Sequence, residues 1–257
     1  MRTRRELLEL AGRAGIGFGA AALLWRCGGT AGASEQSSTN GDAGTADAGT
    51  SGSCVLDPNV TKGPYWVDEK LNRSDIRSDT NGIASPNPRP GLPLTLQFAV
   101  SAYAAGACTP LSGAQVDIWH CDANGIYSDV QGSTAGQNFL RGYQVTDANG
   151  LAQFTTIYPG WYSGRAVHIH VKVRLFDAAK NTTTEATTQV FFNDSTTDAV
   201  YAAVSPYDTR GARDTRNAAD NIYANQSVLL LALSGDTTSG YSGSLSLGVQ
   251  VGQINAG

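Results

Sequence analysis

Charge is sparse in this chain. Asp, Glu, Lys and Arg make up 16% of its 257 residues, and the formal net charge is -4. No cluster of Lys and Arg follows the N-terminal segment, so nucleic acid is not an expected partner. Long apolar runs are missing as well. The N-terminal run from Ile16 to Trp25 is short and glycine-rich, below the length of a membrane-spanning helix, so no integral span is expected in the mature chain. No internal repeat is visible. Histidine is scarce, with three in all, and cysteine appears four times.

Apolar residues make up 41%, enough for a real core, and Gly, Ser, Thr and Ala are abundant. That balance suits a β-rich exported protein better than a helical cytosolic one. Arg4-Arg5 followed by Leu7-Leu8 and the Gly/Ala-rich run reads as a twin-arginine export signal over 1–33. Ala31-Gly32-Ala33 has the small residues of a cleavage site. Residues 34–53, almost wholly Ser, Thr, Gly, Ala and Asp, bury too little apolar surface to order and read as a linker. The folded domain is expected over 54–257, in an oxidising compartment, periplasmic or extracellular. Cys27 leaves with the signal, unless it is lipidated instead. Of the rest, Cys54 and Cys108 sit in polar, turn-like contexts and are the expected disulfide pair. Cys121 lies in an apolar strand and reads as a buried thiol.

Strand signals recur through the domain. They cover Leu92 to Val100, Gln115 to Cys121, Phe139 to Thr146, Leu151 to Ile157, Val167 to Phe176, Thr187 to Phe192, Ser227 to Leu233 and Ser244 to Val251. Asp147-Ala148-Asn149-Gly150 reads as a hairpin turn. Ser195 with Asp198 reads as the N-cap of one short helix through Val204. Many strands and little helix predict an all-β fold, an antiparallel β-sandwich. Long loops, Tyr65 to Pro90 and Thr209 to Asn225, should wrap it.

The most informative segment is Val167 to Leu175. Val167, Ile169, Val171, Val173 and Leu175 alternate with His168, His170, Lys172 and Arg174. On a strand, His168 and His170 then share the face opposite the apolar set. They are either two ligands to one metal or two solvated histidines on an exposed face. Tyr162 lies on a turn just upstream, and Tyr127 follows the Asn124-Gly125 turn; each alone is an ordinary half-buried tyrosine. Together the four would make a hard donor set of two phenolates and two imidazoles. A free phenol ionises only near pH ~10. Iron(III) is the common cation hard enough to hold two phenolates, whereas zinc more usually takes Cys, His and carboxylate.

From Trp119 to His170 the chain resembles the intradiol ring-cleavage dioxygenases. The resemblance rests on Gly63-Pro64-Tyr65, Trp119 with Gly125-Ile126-Tyr127, Phe139-Leu140-Arg141-Gly142, Thr146-Asp147 with Gly150, Pro159-Gly160-Trp161-Tyr162, and Arg165-Ala166-Val167-His168-Ile169-His170, in the family's order. It extends over roughly Cys54 to Tyr207. It implies a β-sandwich holding Fe(3+) on Tyr127, Tyr162, His168 and His170, with Tyr162 the ligand that gives way to substrate. It implies Arg165 as the cation facing the substrate ring and Gln189 as a pocket-lining amide. Catechol and dioxygen would be the substrates, and the ring would open between its hydroxyl-bearing carbons to a muconic acid. Two departures stand out: Arg165-Ala166 replaces the usual arginine–proline, and an export signal and linker stand where cytoplasmic members carry a helical dimerisation domain. The chain therefore looks like a small secreted branch of the family. Two other functions fit parts of the pattern, a non-catalytic module binding phenolics or polysaccharide and a zinc hydrolase using the same His-x-His.

Overall fold

The computed structural model describes residues 58–130, 132–223 and 229–255. The expected export signal, the linker and Cys54 lie outside the described residues.

Two sheets pack face to face. The first is ordered β2-β1-β9-β8, with β5 also on β1; these strands are β1 (Pro93–Ala104), β2 (Ala107–Pro110), β5 (Leu151–Ile157), β8 (Ala232–Asp236) and β9 (Gly240–Val249). The second is ordered β4-β3-β6-β7, from β4 (Arg141–Val145), β3 (Gln115–Trp119), β6 (His168–Phe176) and β7 (Thr182–Phe191). One ten-residue helix, α1 (Asp194–Ala203), follows β7. The all-β sandwich is as expected. Its pairs are antiparallel except β1 with β9, which run parallel over Leu94–Ala102 and bring the last strand beside the first.

Alternation places the core. Ile169, Val171 and Val173 of β6 meet Leu94, Leu96, Phe98 and Val100 of β1 in one buried cluster. Each such side chain contributes roughly 1.5–3 kcal/mol by leaving water. The opposite face of β6 is buried as well: His168, His170, Lys172 and Arg174 are all nearly inaccessible. The 58–72 segment covers it. Arg174 pairs with Asp117 and with Asp68 of that segment, each at 2.9 Å, and the Lys172 ammonium lies 4.4 Å from the Trp66 ring centroid. That removes the alternative of two solvated histidines.

Three local expectations need correction. Asp147 to Gly150 does not close a hairpin. β4 pairs with β3 and β5 with β1, so the turn is a corner passing from one sheet to the other. Asp147 Oδ1 accepts the N–H groups of Asn149 and Leu151 at 2.8 Å, and the Gly150 carbonyl accepts Val100 N–H at 2.8 Å, tying the corner to β1. The helix starts one residue before Ser195, with Asn193 at the cap position and Ser195 inside the first turn. Of the strand expected over Ser227 to Leu233, residues 227 and 228 lie outside the described residues, and β8 begins only at Ala232. The short β2, bearing Cys108, was not foreseen. Cys108 stands on β2, and the pairing expected for it with Cys54 falls outside the described residues. Cys121 is a free, buried thiol.

Candidate metal centre

Strand register builds one wall of the site. Trp119 lies opposite Arg141 on one side and His170 on the other, and His170 lies opposite Gln189. Arg141, Trp119, His170 and Gln189 thus form a row across all four strands on the face away from the core. The His170 ring stacks on Trp119, with centroids 4.7 Å apart and planes 9° apart. His168 sits one pleat along the same face.

Both tyrosines arrive on turns. After β3, Asp122 Oδ1 accepts Asn124 N–H at 2.8 Å and Ile126 N–H at 3.0 Å, and Oδ2 is paired with Arg89. This carboxylate folds the turn that delivers Tyr127. The 158–162 turn is held through its carbonyls. Tyr207 Oη donates to Tyr158 O at 2.6 Å, Tyr201 Oη to Pro159 O at 2.9 Å, the Cys121 thiol to Gly160 O at 3.3 Å, and Arg210 to Trp161 O. Its end delivers Tyr162.

Donor atoms converge on His168. Its Nε2 lies 3.2 Å from Tyr162 Oη, 3.2 Å from His170 Nε2 and 3.5 Å from Arg165 Nη1. The His168 Nδ1 is 2.6 Å from the Ala166 carbonyl, which can only accept. Nδ1 therefore carries the proton and Nε2 turns its lone pair to the cluster, the tautomer a metal ligand needs. The Tyr127 ring stands 5.7 Å from that of Tyr162 and 6.2 Å from that of His170. Its hydroxyl is buried with no hydrogen-bond partner.

The electrostatics agree. Burial pushes the Tyr127 phenol well above its ordinary value, and Tyr162 up to about 12. Burial, reinforced by the Arg165 charge, pushes His168 down to about 3; burial and its neighbours hold His170 well below the usual histidine range. The imidazoles are neutral ligands in waiting, and the phenols will ionise only for a strong cation. Among the described residues no three His, Cys, Asp or Glu side chains converge. A cation between His168 and His170 would therefore find its other protein donors in the two phenols. That donor set, with an orphaned hydroxyl at its edge, fits iron(III).

Arg165 and Gln189 also meet here: Arg165 Nη2 donates to Gln189 Oε1 at 2.5 Å, and Gln189 Nε2 donates to Thr61 O at 3.2 Å. Asp220, whose carboxylate accepts Arg165 Nε–H at 2.8 Å, was not foreseen, and neither was the stacking of Tyr65 on Tyr127 at 4.4 Å. The quoted Gly63-Pro64-Tyr65 could have signalled Tyr65; nothing in the sequence around Asp220 marked it. His120-Cys121-Asp122 has the His-x-Asp spacing of an iron(II) site, but His120 bonds Cys121 O and Thr156 Oγ1 while Asp122 serves its turn.

Residues 61–207, more than half of the chain, match the family described as Dioxygenase. An intradiol ring-cleavage dioxygenase from Tetranychus urticae is 30% identical, over 77% of this chain and 95% of that one, with a TM-score of 0.65. The chain belongs to the intradiol ring-cleavage dioxygenases and is an enzyme of that kind. Catechol 1,2-dioxygenase from Pseudomonas arvilla C-1 shares the fold at 22% identity, over 76% of this chain and 62% of that one, with a TM-score of 0.51. Chlorocatechol 1,2-dioxygenase from Rhodococcus opacus is 29% identical over 84 residues, covering 25% of this chain but only 33% of that protein.

Proposed function

We propose that this protein is an iron(III) dioxygenase that opens catechol-type rings between the two hydroxyl-bearing carbons, giving muconic acids. The observation that carries it is the cluster of Tyr162 Oη, His168 Nε2 and His170 Nε2 at 3.2 Å spacings, beside the unpartnered Tyr127 hydroxyl. Tyr127, Tyr162, His168 and His170 would hold the iron, whose chemistry is to bind catechol as the dianion and draw electron density from its ring. His168 and His170 stay neutral, their rings fixed by the Ala166 carbonyl and the Trp119 indole. Tyr162 Oη, on the less buried of the two tyrosines, would take one of the two catechol protons, and the other would pass to solvent. Arg165 faces the same space and offers a fixed positive charge to the anionic ring. Tyr65, stacked on Tyr127 and edge-on to Tyr162, keeps water from the phenolate side.

We extend the proposal to place and covalent form: export by the twin-arginine signal over 1–33, and a bridge from Cys108 to Cys54. Among the described residues no helix is long and apolar enough to cross a membrane. The test is the purified protein's visible spectrum together with its product. Tyrosinate on iron(III) gives a red to burgundy charge-transfer band, and catechol should yield a muconic acid carrying both atoms of one O2, with no added reductant. A protein colourless after iron loading sinks the ligand set; a semialdehyde product sinks the position of cleavage.

A further inference from the structure

Arg165 is held rather than merely present. Its Nε–H donates to Asp220 Oδ2 at 2.8 Å. Its Nη2 donates to Gln189 Oε1 at 2.5 Å and lies 3.5 Å from Asp220 Oδ1. Only Nη1 is turned toward His168 Nε2, at 3.5 Å.

The Asp220 carboxylate is wholly buried. Besides Arg165, its Oδ2 accepts Ala166 N–H at 2.8 Å. Its Oδ1 accepts Ile222 N–H at 2.8 Å and Tyr223 N–H at 3.0 Å. Donors surround both oxygens, so only an ionised carboxylate, which has no proton of its own, satisfies them all. The Ala166 peptide is gripped from both sides, its N–H by Asp220 and its carbonyl by His168 Nδ1. One carboxylate on the 217–223 loop therefore ties that loop, the guanidinium and the start of the histidine strand into one unit. A long guanidinium without such a hold would have to be ordered afresh at each turnover.

We propose that Asp220 is the positioning residue for Arg165: with Gln189 it fixes two edges of the guanidinium, so that Nη1 alone faces the space beside the imidazoles where the anionic substrate lies. This rests on the ring-cleaving function proposed above. Asp220→Asn leaves one acceptor oxygen where two are used. It should retain iron and the visible band, yet lower kcat/KM for catechol by roughly 10–100-fold, the usual effect of losing an outer partner. If Asp220 acts through Arg165, the double variant Asp220→Asn/Arg165→Ala should be no slower than Arg165→Ala alone. Losses that multiply would mean a general structural role and overturn the proposal. A second measurement does not depend on turnover. In the metal-free protein the Arg165 Nε–H should exchange slowly by 15N NMR, and at least about tenfold faster in Asp220→Asn. An Arg165 Nε–H exchanging as fast as an exposed arginine in the unaltered protein overturns the proposal even if Asp220→Asn fails to fold. An unaltered protein that cleaves no catechol while this proton stays protected overturns the ring-cleaving function and leaves the Asp220 hold standing.

Discussion

A buried hydroxyl without a partner costs about 1–3 kcal/mol, and Tyr127 carries one at the edge of the proposed site. Its effect on stability should therefore change sign with the metal. In metal-free protein, Tyr127→Phe should raise stability by about 1 kcal/mol, because the orphan is removed. In iron-loaded protein the same change should lower stability and iron affinity, because a ligand is removed. Tyr158→Phe is the control: that hydroxyl is equally buried but bonded to Thr197 Oγ1 at 2.8 Å, so its loss should destabilise both forms. Thermal unfolding of both variants with and without iron checks this; a Tyr127→Phe protein less stable in both states contradicts it. At this scale alternation made legible that His168 and His170 share one face, since a strand must put them there, but not whether that face binds a metal or meets solvent; the family motifs carried that. Tyr127 and Tyr162 were legible only through the order of family motifs, because two turns bring them together and turns carry no period. Asp220 was illegible: it comes from a loop far along the chain and is chosen by geometry, with no pattern around it.

The site's geometry depends on two turns lying backbone to backbone. Gly160 sits where a Cβ would overlap the carbonyl oxygens of Asp122 and Ala123. Gly125, at φ +77°, sits where one would overlap Trp161 O. These obstacles are backbone atoms, which cannot swing aside as a side chain can. Gly160→Ala should destabilise by about 1–3 kcal/mol, as overpacking does. It should also weaken iron retention, because the displaced turns are those that carry Tyr127 and Tyr162. Gly132→Ala, where a Cβ meets nothing within 4 Å, should stay within about 0.5 kcal/mol. Denaturant unfolding and iron content of both variants check this; unchanged iron in a destabilised Gly160→Ala would separate the turns from the metal. Elements were legible where period 2 ran long, as in β6. The corner at Asp147–Gly150 was misread because its turn chemistry matches a hairpin's, and only the pairing partners of β4 and β5 distinguish the two.

At the scale of the whole molecule, composition and strand signals led to the sandwich because two packed sheets bury many alternating strands with little helix. The parallel return of β9 onto β1 left no local trace, since its partner is set by the whole path of the chain. What joins the two sheets behind the site includes a histidine the function does not use. His120 follows β3 of one sheet, and its Nε2 accepts from Thr156 Oγ1 on β5 of the other at 2.7 Å; its Nδ1 donates to Cys121 O at 2.8 Å. Burial, aided by the charge of Arg141, pushes it down to about 4 against a bond to the Cys121 carbonyl that works the other way. The unfolded chain binds this proton near pH ~6.5, so between there and about 4 the unfolded state carries more protons than the folded one. The stability owed to neutral His120 is whole above the unfolded value and is lost as pH falls through that window. At ~1.4 kcal/mol per pKa unit the loss totals roughly 3 kcal/mol. Denaturant unfolding from pH 7 to 4 on protein in one fixed metal state should show this fall. His120→Gln, which offers an amide donor and acceptor but does not titrate, should flatten the curve by that amount. Curves that run parallel across the window would mean His120 charges as readily inside the sandwich as in water, and the seam between the sheets would then be wet.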